Sequence, residues 1–271
     1  MKPPAPELAV SLVSYAPDFD VLERTLAALN RAAEHARGAG ALARVTLTIA
    51  DNGPGAANAE RVRRGGARVV EPGRNLGFGA GHNLALRDAQ AEFALILNPD
   101  AVMAEDALTA GIAFLQSHPE VALLAPQVDT GRDAARHLCK REPDPWTLFV
   151  RGFGPAWLRR RCRKRLDHYA MTDLDPAREH LDVPLASGSF MLLRTAVFHA
   201  IGGFDERYFL YFEDFDLCRR LRDAGGRIAY APQVRIAHHA GGAARKGGPH
   251  ARLFLASAWK YFRRHGFRPA R

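Results

Sequence analysis

The chain has 271 residues, 47% of them hydrophobic, which excludes a disordered protein and fits one large α/β domain or two small ones. Thirty-eight basic residues against 29 acidic ones leave a formal charge of +9, a balance suited to an anionic partner such as nucleic acid, acidic lipid or a phosphorylated substrate. The three scattered cysteines, Cys139, Cys162 and Cys218, form no CxxC pair, which argues against a structural zinc site or a disulfide framework and for a reducing compartment.

The opening "MKPPAPELAVSLVSYAP" reads as the approach to a strand, LAVSLVS (8–14), and not as a signal peptide. No apolar run reaches the roughly 18 residues of a membrane span, so a cytoplasmic protein is expected. In DVLERTLAALNRAAEHARG, Asp20 and Glu23 have capping-box spacing, Leu22, Leu26 and Leu29 share a face, and Gly38 stops the helix. VTLTIADNG is a strand running into a turn, and ARVVEPG is a third strand. The segment EPGRNLGFGAGHNLAL carries Gly73, Gly77, Gly79 and Gly81 but neither a full dinucleotide fingerprint nor a Walker loop. Its glycines fit either a close approach of phosphate or base to a helix N-terminus or a plain turn before a helix. FALILNPD is a fourth strand, a helix follows from about Ala104 to Ser117, and VALLAP is a fifth strand.

Alternating strands and helices imply a parallel sheet with right-handed crossovers, whose ligands bind beyond the carboxyl ends of the strands. Ser14-Tyr15, Asp51-Asn52 and Asn98-Pro99-Asp100 then fall at one edge of the sheet. A carboxylate such as Asp100 at a strand end, beside a phosphate site, is placed to hold a divalent cation. Residues 126–183, with Pro143, Pro145, Pro155, Pro176 and the basic run WLRRRCRKR (157–165), read as a long insertion with short helices. Pattern returns with SFMLLR as a strand, a short helix to Ile201, RIAYAP and VRIAHH as two strands, and a last helix in 250–265. Of His238 and His239, successive on a strand, at most one enters a given site.

The stretch YFLYFEDFDLCRRL (208–221) sets Glu213, Asp214 and Asp216 among aromatics. Leu217 and Leu221 share a helix face and Gly225 supplies a stop, so a helix begins near Asp214. First-turn acids favour the helix macrodipole, which accounts for Asp216 and partly for Asp214. A carboxylate against aromatic walls loses hydration, its pKa rises from about 3.9, and it becomes a better proton acceptor at neutral pH.

In order, VSYAP, DNGP, NLGFGAGHN, LNPD, GSFMLLR, GGFDERYFLYFEDFDLCRR and HHAGG resemble the motifs of glycosyltransferase family 2, and of its bacterial rhamnosyltransferase-like branch in particular. The likeness runs from about residue 8 to 242 and is weakest through 126–183. It implies a GT-A fold, an α/β, Rossmann-like, mostly parallel sheet flanked by helices, with a C-terminal acceptor-binding half. The expected layout is a single domain: a nucleotide-sugar half at 8–100, a metal and acceptor half at 101–242 holding the insertion, and a helical tail at 243–271. The resemblance implies inverting transfer from a nucleotide diphosphate sugar, with Mg²⁺ or Mn²⁺. By it, Ser14, Tyr15, Asp51, Arg74, Asn75 and Asn98 bind the donor, Asp100 and His238 bind the metal, and Asp214 is the general base. Gly188, Asp205 and Glu213 line the sugar and acceptor pocket. The branch suggests dTDP-rhamnose as donor and a cell-surface polysaccharide or lipid-linked acceptor. The chain departs from the family at Ala16, where Asn is usual, and at Pro54, where Ser is usual.

Two other classes compete. A sugar-phosphate nucleotidyltransferase would share the sheet, but its Gly-rich basic signature near the N-terminus is missing from VSYAPDFDVLER. A nucleic-acid or membrane-binding protein would use the charge; no nucleic-acid motif accompanies it. An anionic membrane surface suits the basic run 159–165, with Trp157, Trp259, Tyr261 and Phe262 at the interface.

Overall fold

The computed structural model describes residues 4–53, 66–129, 136–238 and 247–267; His239 and the rest of the HHAGG motif lie outside the described residues. Strands β1 (Glu7–Ser14), β2 (Arg44–Asp51), β3 (Arg68–Val70) and β4 (Phe93–Leu97) pair in parallel, in the order β3-β2-β1-β4. The register sets Ser14 opposite Asp51 and Leu12 opposite Leu97, so the three carboxyl ends share one edge. Helix α1 (Phe19–Gly38) covers one face, and α2 (Phe78–Leu86) packs on β1 and β2.

The unbroken apolar run of β4 follows from burial on both faces. Phe93, Leu95 and Leu97 join Leu8, Val10, Leu29 and Ile112 on one side, while Ala94 and Ile96 join Leu86, Phe198 and Leu217 on the other. At the start of α1 the cap is Asp18 and not the expected Asp20: the Asp18 carboxylate accepts from the amides of Asp20 and Val21. Asp20 lies inside the first turn, where its charge meets the positive end of the helix.

Beyond β4 the sheet is mixed. β5 (Ala101–Met103), β6 (Val121–Asp129), β7 (Arg136–His137), β8 (Phe190–Arg194) and β9 (Arg227–His238) extend it in the order β4-β8-β6-β9-β5, with β7 paired to β6. β8 runs antiparallel to β4 and β6, whereas β6 and β9 are parallel. The short β5 ends just before Ala104, where the helix was expected to begin; a turn at 104–106 intervenes, and α3 covers Ala107–Ser117. RIAYAP and VRIAHH form one strand, not two: the register against β6 slips after Pro126↔Ala231 and resumes at Gln127↔Arg235, and Pro232 falls in that irregularity, where no ladder donor is required.

The insertion contains α4 (Pro145–Phe153), α5 (Ala156–Arg161) and α6 (Arg163–Ala170). After β8 come α7 (Thr195–Ala200), α8 (Glu213–Asp223) and, past β9, α9 (Gly247–His265). A third core joins insertion, aromatic stretch and last helix: Leu148, Tyr169, Tyr208, Phe212, Tyr261 and Phe262 are buried together. Tyr261 and Phe262 are thus core residues, which corrects the expectation that they face a membrane. Asp144 caps α4 through the Trp146 and Thr147 amides and pairs with Arg165 at 2.8 Å, so Arg165 belongs to the architecture and not to a free basic run.

Candidate active site

Two consecutive residues lead into α8 with left-handed backbone, Tyr211 at φ 71° and Phe212 at φ 67°. Such a conformation costs a bulky L-residue of order 1–3 kcal/mol and persists only where packing over-determines it. Here the Phe212 ring is held by Phe254, Tyr261 and Phe262, and the Tyr211 hydroxyl shares a 2.9 Å hydrogen bond with His250 Nδ1. The aromatics of 208–215 therefore anchor mainly on α9, and the sharp turn they form delivers Glu213 and Asp214 to the helix start.

Asp214 lines a cleft of about 280 Å³ together with Lys140, Arg151, Tyr169, Ser187 and Phe254. One carboxylate oxygen accepts the Gly188 amide at 3.0 Å and the other accepts the Phe215 amide at 2.9 Å. Burial raises the Asp214 carboxyl above its ordinary range, against the pull of those amides. Glu213 is only 5% exposed, and its Oε2 has no hydrogen-bond partner among the described residues. Burial, and then the Asp214 charge beside it, push it well above the usual carboxylate range. Both carboxyls are thus raised, Glu213 being the less exposed of the two and Asp214 the one whose anion two amides stabilise.

Asp216 has a different task from the dipole role expected of it. It is 0% exposed and meets Arg220 Nε at 2.7 Å, His265 Nε2 at 2.8 Å and Arg264 at 3.3 Å. Burial would raise its carboxyl, but His265, Arg220 and Arg264 outweigh it and hold the group below the ordinary value. This ionic knot ties α8 to α9. Asp205 is engaged by Arg207 and Arg264, and Arg207 first of all brings its carboxyl down to about 2.

At the ends of β1 and β2, Ser14 Oγ donates to Asp51 at 3.0 Å, and the same Asp51 oxygen accepts the Gly53 amide. Asn52, buried, donates to the Gly77 carbonyl at 2.9 Å and accepts from the Leu76 amide, while Asn75 accepts the Gly77 amide at 2.9 Å. The Gly77–Phe78 turn is thereby fixed against the end of β2. The glycines serve protein contacts: Phe78 N–H donates to the Phe209 carbonyl, and a Cβ on Gly77, at φ 86°, would lie 2.2 Å from that oxygen. The Gly77 amide is taken by Asn75 and the first amide of α2 by Phe209, and the turn packs closely on the 204–209 segment. Tyr15 and Arg74 are exposed beside this edge. Ala16, where the family has Asn, sits at φ 43°, a region that Asn tolerates better than Ala.

Asn98 links the two sides, since its amide donates to the Ser189 carbonyl at 2.9 Å, one residue from the Gly188 that holds Asp214. Asp100 is half-buried and opens on a second cleft of about 460 Å³ with Arg24 and Arg31. His238 lies opposite Ala101 in the β5–β9 ladder, so its backbone is a strand neighbour of the Asp100 segment. No cluster of three or more metal-binding side chains occurs among the described residues. Sequence reasoning set Asn52 at the sheet edge without giving it a role and missed Lys140 and Arg151, which lie in the aperiodic insertion, where no local pattern marked them.

A mixed sheet flanked by helices, with polar residues at the ends of β1, β2 and β4 and a buried acid pair at the head of α8, has the architecture of a GT-A glycosyltransferase. The sequence model described as "Glycosyltransferase like family 2" matches residues 6–266, and the chain belongs to that family. It is 30% identical over 250 residues to the N-acetylglucosaminyl-diphospho-decaprenol L-rhamnosyltransferase of Mycobacterium tuberculosis, covering 86% of this chain and 76% of the relative. It is also 30% identical over 175 residues to rhamnosyltransferase WbbL of Escherichia coli, covering 60% of this chain and 61% of that one. Among solved structures, the mannosyltransferase PcManGT from Pyrobaculum calidifontis, in complex with GDP-Man and Mn²⁺, superposes with a TM-score of 0.64 at 17% identity, over 98% of this chain and 66% of that one. GalNAc-T7 with UDP, GalNAc and Mn²⁺ gives 0.62 at 14% identity, over 88% and 44%.

Proposed function

We propose that this glycosyltransferase moves rhamnose, with inversion, from dTDP-rhamnose to a hydroxyl of a lipid-linked precursor of a cell-surface polysaccharide. The observation that carries the reading is Asp214: a carboxylate fixed by the Gly188 and Phe215 amides, raised by burial, and open to a cleft. In this reaction Asp214 takes the proton of the acceptor hydroxyl while that oxygen attacks the anomeric carbon. The bond to the nucleoside diphosphate breaks in the same displacement. Ser14, Tyr15, Asp51, Arg74, Asn75 and Asn98 form the donor edge, and Arg74 is the cation nearest in sequence to it. Asp100 and His238 would hold Mg²⁺ or Mn²⁺, which would supply charge neutralisation for the departing diphosphate. Residues 8–100 are read as the donor half and 101–242 as the metal and acceptor half of one unit, with 243–271 as its helical tail.

No described helix is long and apolar enough to cross a membrane. We place the enzyme on the cytoplasmic face of one, because Trp146, Phe149, Phe153 and Trp157 are exposed along α4 and α5 next to Arg159, Arg160, Arg161, Arg163 and Lys164.

The test is a panel of nucleotide sugars with purified protein, scored by release of nucleoside diphosphate, before and after exhaustive chelation. The expected result is dTDP release from dTDP-rhamnose that stops with EDTA and returns with Mn²⁺ or Mg²⁺. Release of pyrophosphate from a nucleoside triphosphate and a sugar phosphate would instead identify a nucleotidyltransferase.

A further inference from the structure

The cleft at Asp214 also contains two cations that the mechanism does not use. Lys140 is anchored by a backbone bridge to Leu185, with mutual hydrogen bonds of 2.9 and 3.1 Å, three residues before Gly188. Among the described residues its ammonium donates to the carbonyl of the adjacent Cys139 alone, at 3.2 Å. Arg151, on α4, stands 5.7 Å over the Tyr169 ring. Their neighbours are matched: Arg141 is bidentate on Asp173, and Glu142 meets Arg219 and the Tyr261 hydroxyl. Among the described residues Lys140 and Arg151 form no ion pair, although both line the cleft with Glu213 and Asp214. Burial, and then the Arg151 charge, bring the Lys140 ammonium down to about 8, as two like charges in one partly desolvated cleft would. The rest of the wall is apolar, with Leu138, Leu148 and Phe254.

We propose that Lys140 and Arg151 form an acceptor subsite for a phosphate or diphosphate carried by the acceptor, which they clamp so that a sugar hydroxyl of the same molecule faces Asp214. This rests on the transferase reading and adds to it the residues that would hold the phosphate of such an acceptor and so select it over a neutral glycan. The apolar wall beside the cations suits the first carbons of an alkyl chain attached to that phosphate. Arg151 shares α4 with the exposed Trp146, Phe149 and Phe153, so the chain has a path from cleft to surface along one helix.

The first measurement is titration calorimetry with inorganic pyrophosphate, in EDTA and with saturating dTDP to occupy the donor edge. Wild type is expected to bind. Lys140→Met and Arg151→Gln are each expected to weaken binding by about 10–100-fold, the value of one charge-assisted hydrogen bond, and the double variant to abolish it. Arg74→Ala should leave this affinity unchanged. Melting temperatures should stay at or above wild type, because neither side chain sits in an ion pair. The second measurement is transfer to an alkyl phosphate-linked sugar against the neutral alkyl glycoside of the same sugar. Wild type should prefer the phosphate, and the variants should lose that preference while donor hydrolysis continues. Pyrophosphate binding that is equal in wild type and folded double variant overturns the proposal. So does Lys140-dependent binding to anionic vesicles with none to pyrophosphate, which would make the pair a headgroup site. Absence of donor turnover in wild type would tell against the transferase reading, whereas the calorimetry reports on the subsite alone.

Discussion

Replacing Asp216 by Asn tests whether the knot between α8 and α9 is structural. The carboxylate is 0% exposed and faces Arg220 at 2.7 Å, His265 at 2.8 Å and Arg264 at 3.3 Å. Removing one partner of a buried pair costs about 3–5 kcal/mol, since the remaining charges stay desolvated. Two features moderate this: Arg220 keeps the carbonyls of Ile201 and Gly203 as acceptors, at 2.8 and 2.7 Å, and Asn still offers one oxygen. A loss of about 3 kcal/mol is therefore expected, which at roughly 2–4 °C per kcal/mol for a chain of this size lowers Tm by about 6–12 °C. The sign with pH follows from the depressed carboxyl. Its contribution is present above the unfolded value near 3.9 and is lost as pH falls through the lower folded value, so the gap between wild type and variant should close in acid. Urea unfolding followed by circular dichroism at pH 7 and at pH 3–4 measures both. A Tm loss below 2 °C at pH 7, or a gap that widens in acid, would refute the reasoning.

Asp214→Asn keeps the shape, donor binding and melting temperature but removes the proton acceptor, so transfer should fall by about 10²–10⁴; a variant with most of its rate would move the base elsewhere. Glu213→Gln copies the protonated acid and should keep transfer within a few-fold. The raised carboxyl of Glu213 makes its stability contribution full below the unfolded value near 4.3 and lost as pH rises through the folded one, so the Tm advantage of the Gln variant should grow between pH 5 and 8. A flat difference would mean that Glu213 is not the protonated member. Gly77→Ala combines left-handed strain with a Cβ 2.2 Å from the Phe209 carbonyl and should cost about 2–5 kcal/mol. Gly38→Ala, within α1 and facing open space, should instead stabilise by about 0.5–1 kcal/mol; equal effects in the two unfolding curves would discount the contact.

What the sequence by itself determined is what local pattern encodes. FALIL announced a strand, and Ser14, Asp51 and Asn98 were assigned to one edge because parallel strands must end together. The acid cluster at 213–216 was visible because carboxylates among aromatics demand a reason. The tertiary structure alone decided what each acid does. Asp216 reads as a first-turn acid until His265, 49 residues later, is brought to 2.8 Å, and no local periodicity records such a partner. The glycines at 77 and 79 looked available to a ligand until Phe209 and Phe204 filled the space beside them. β5, three residues long, and the antiparallel pairing of β8 depend on neighbours contributed by β9, β4 and β6. Lys140 and Arg151 stand 11 positions apart in a stretch without periodicity and share a cleft only because a backbone bridge holds one and a capped helix presents the other. Burial and charge pairing are properties of convergence in space; a sequence shows the groups, and the fold determines which of them meet.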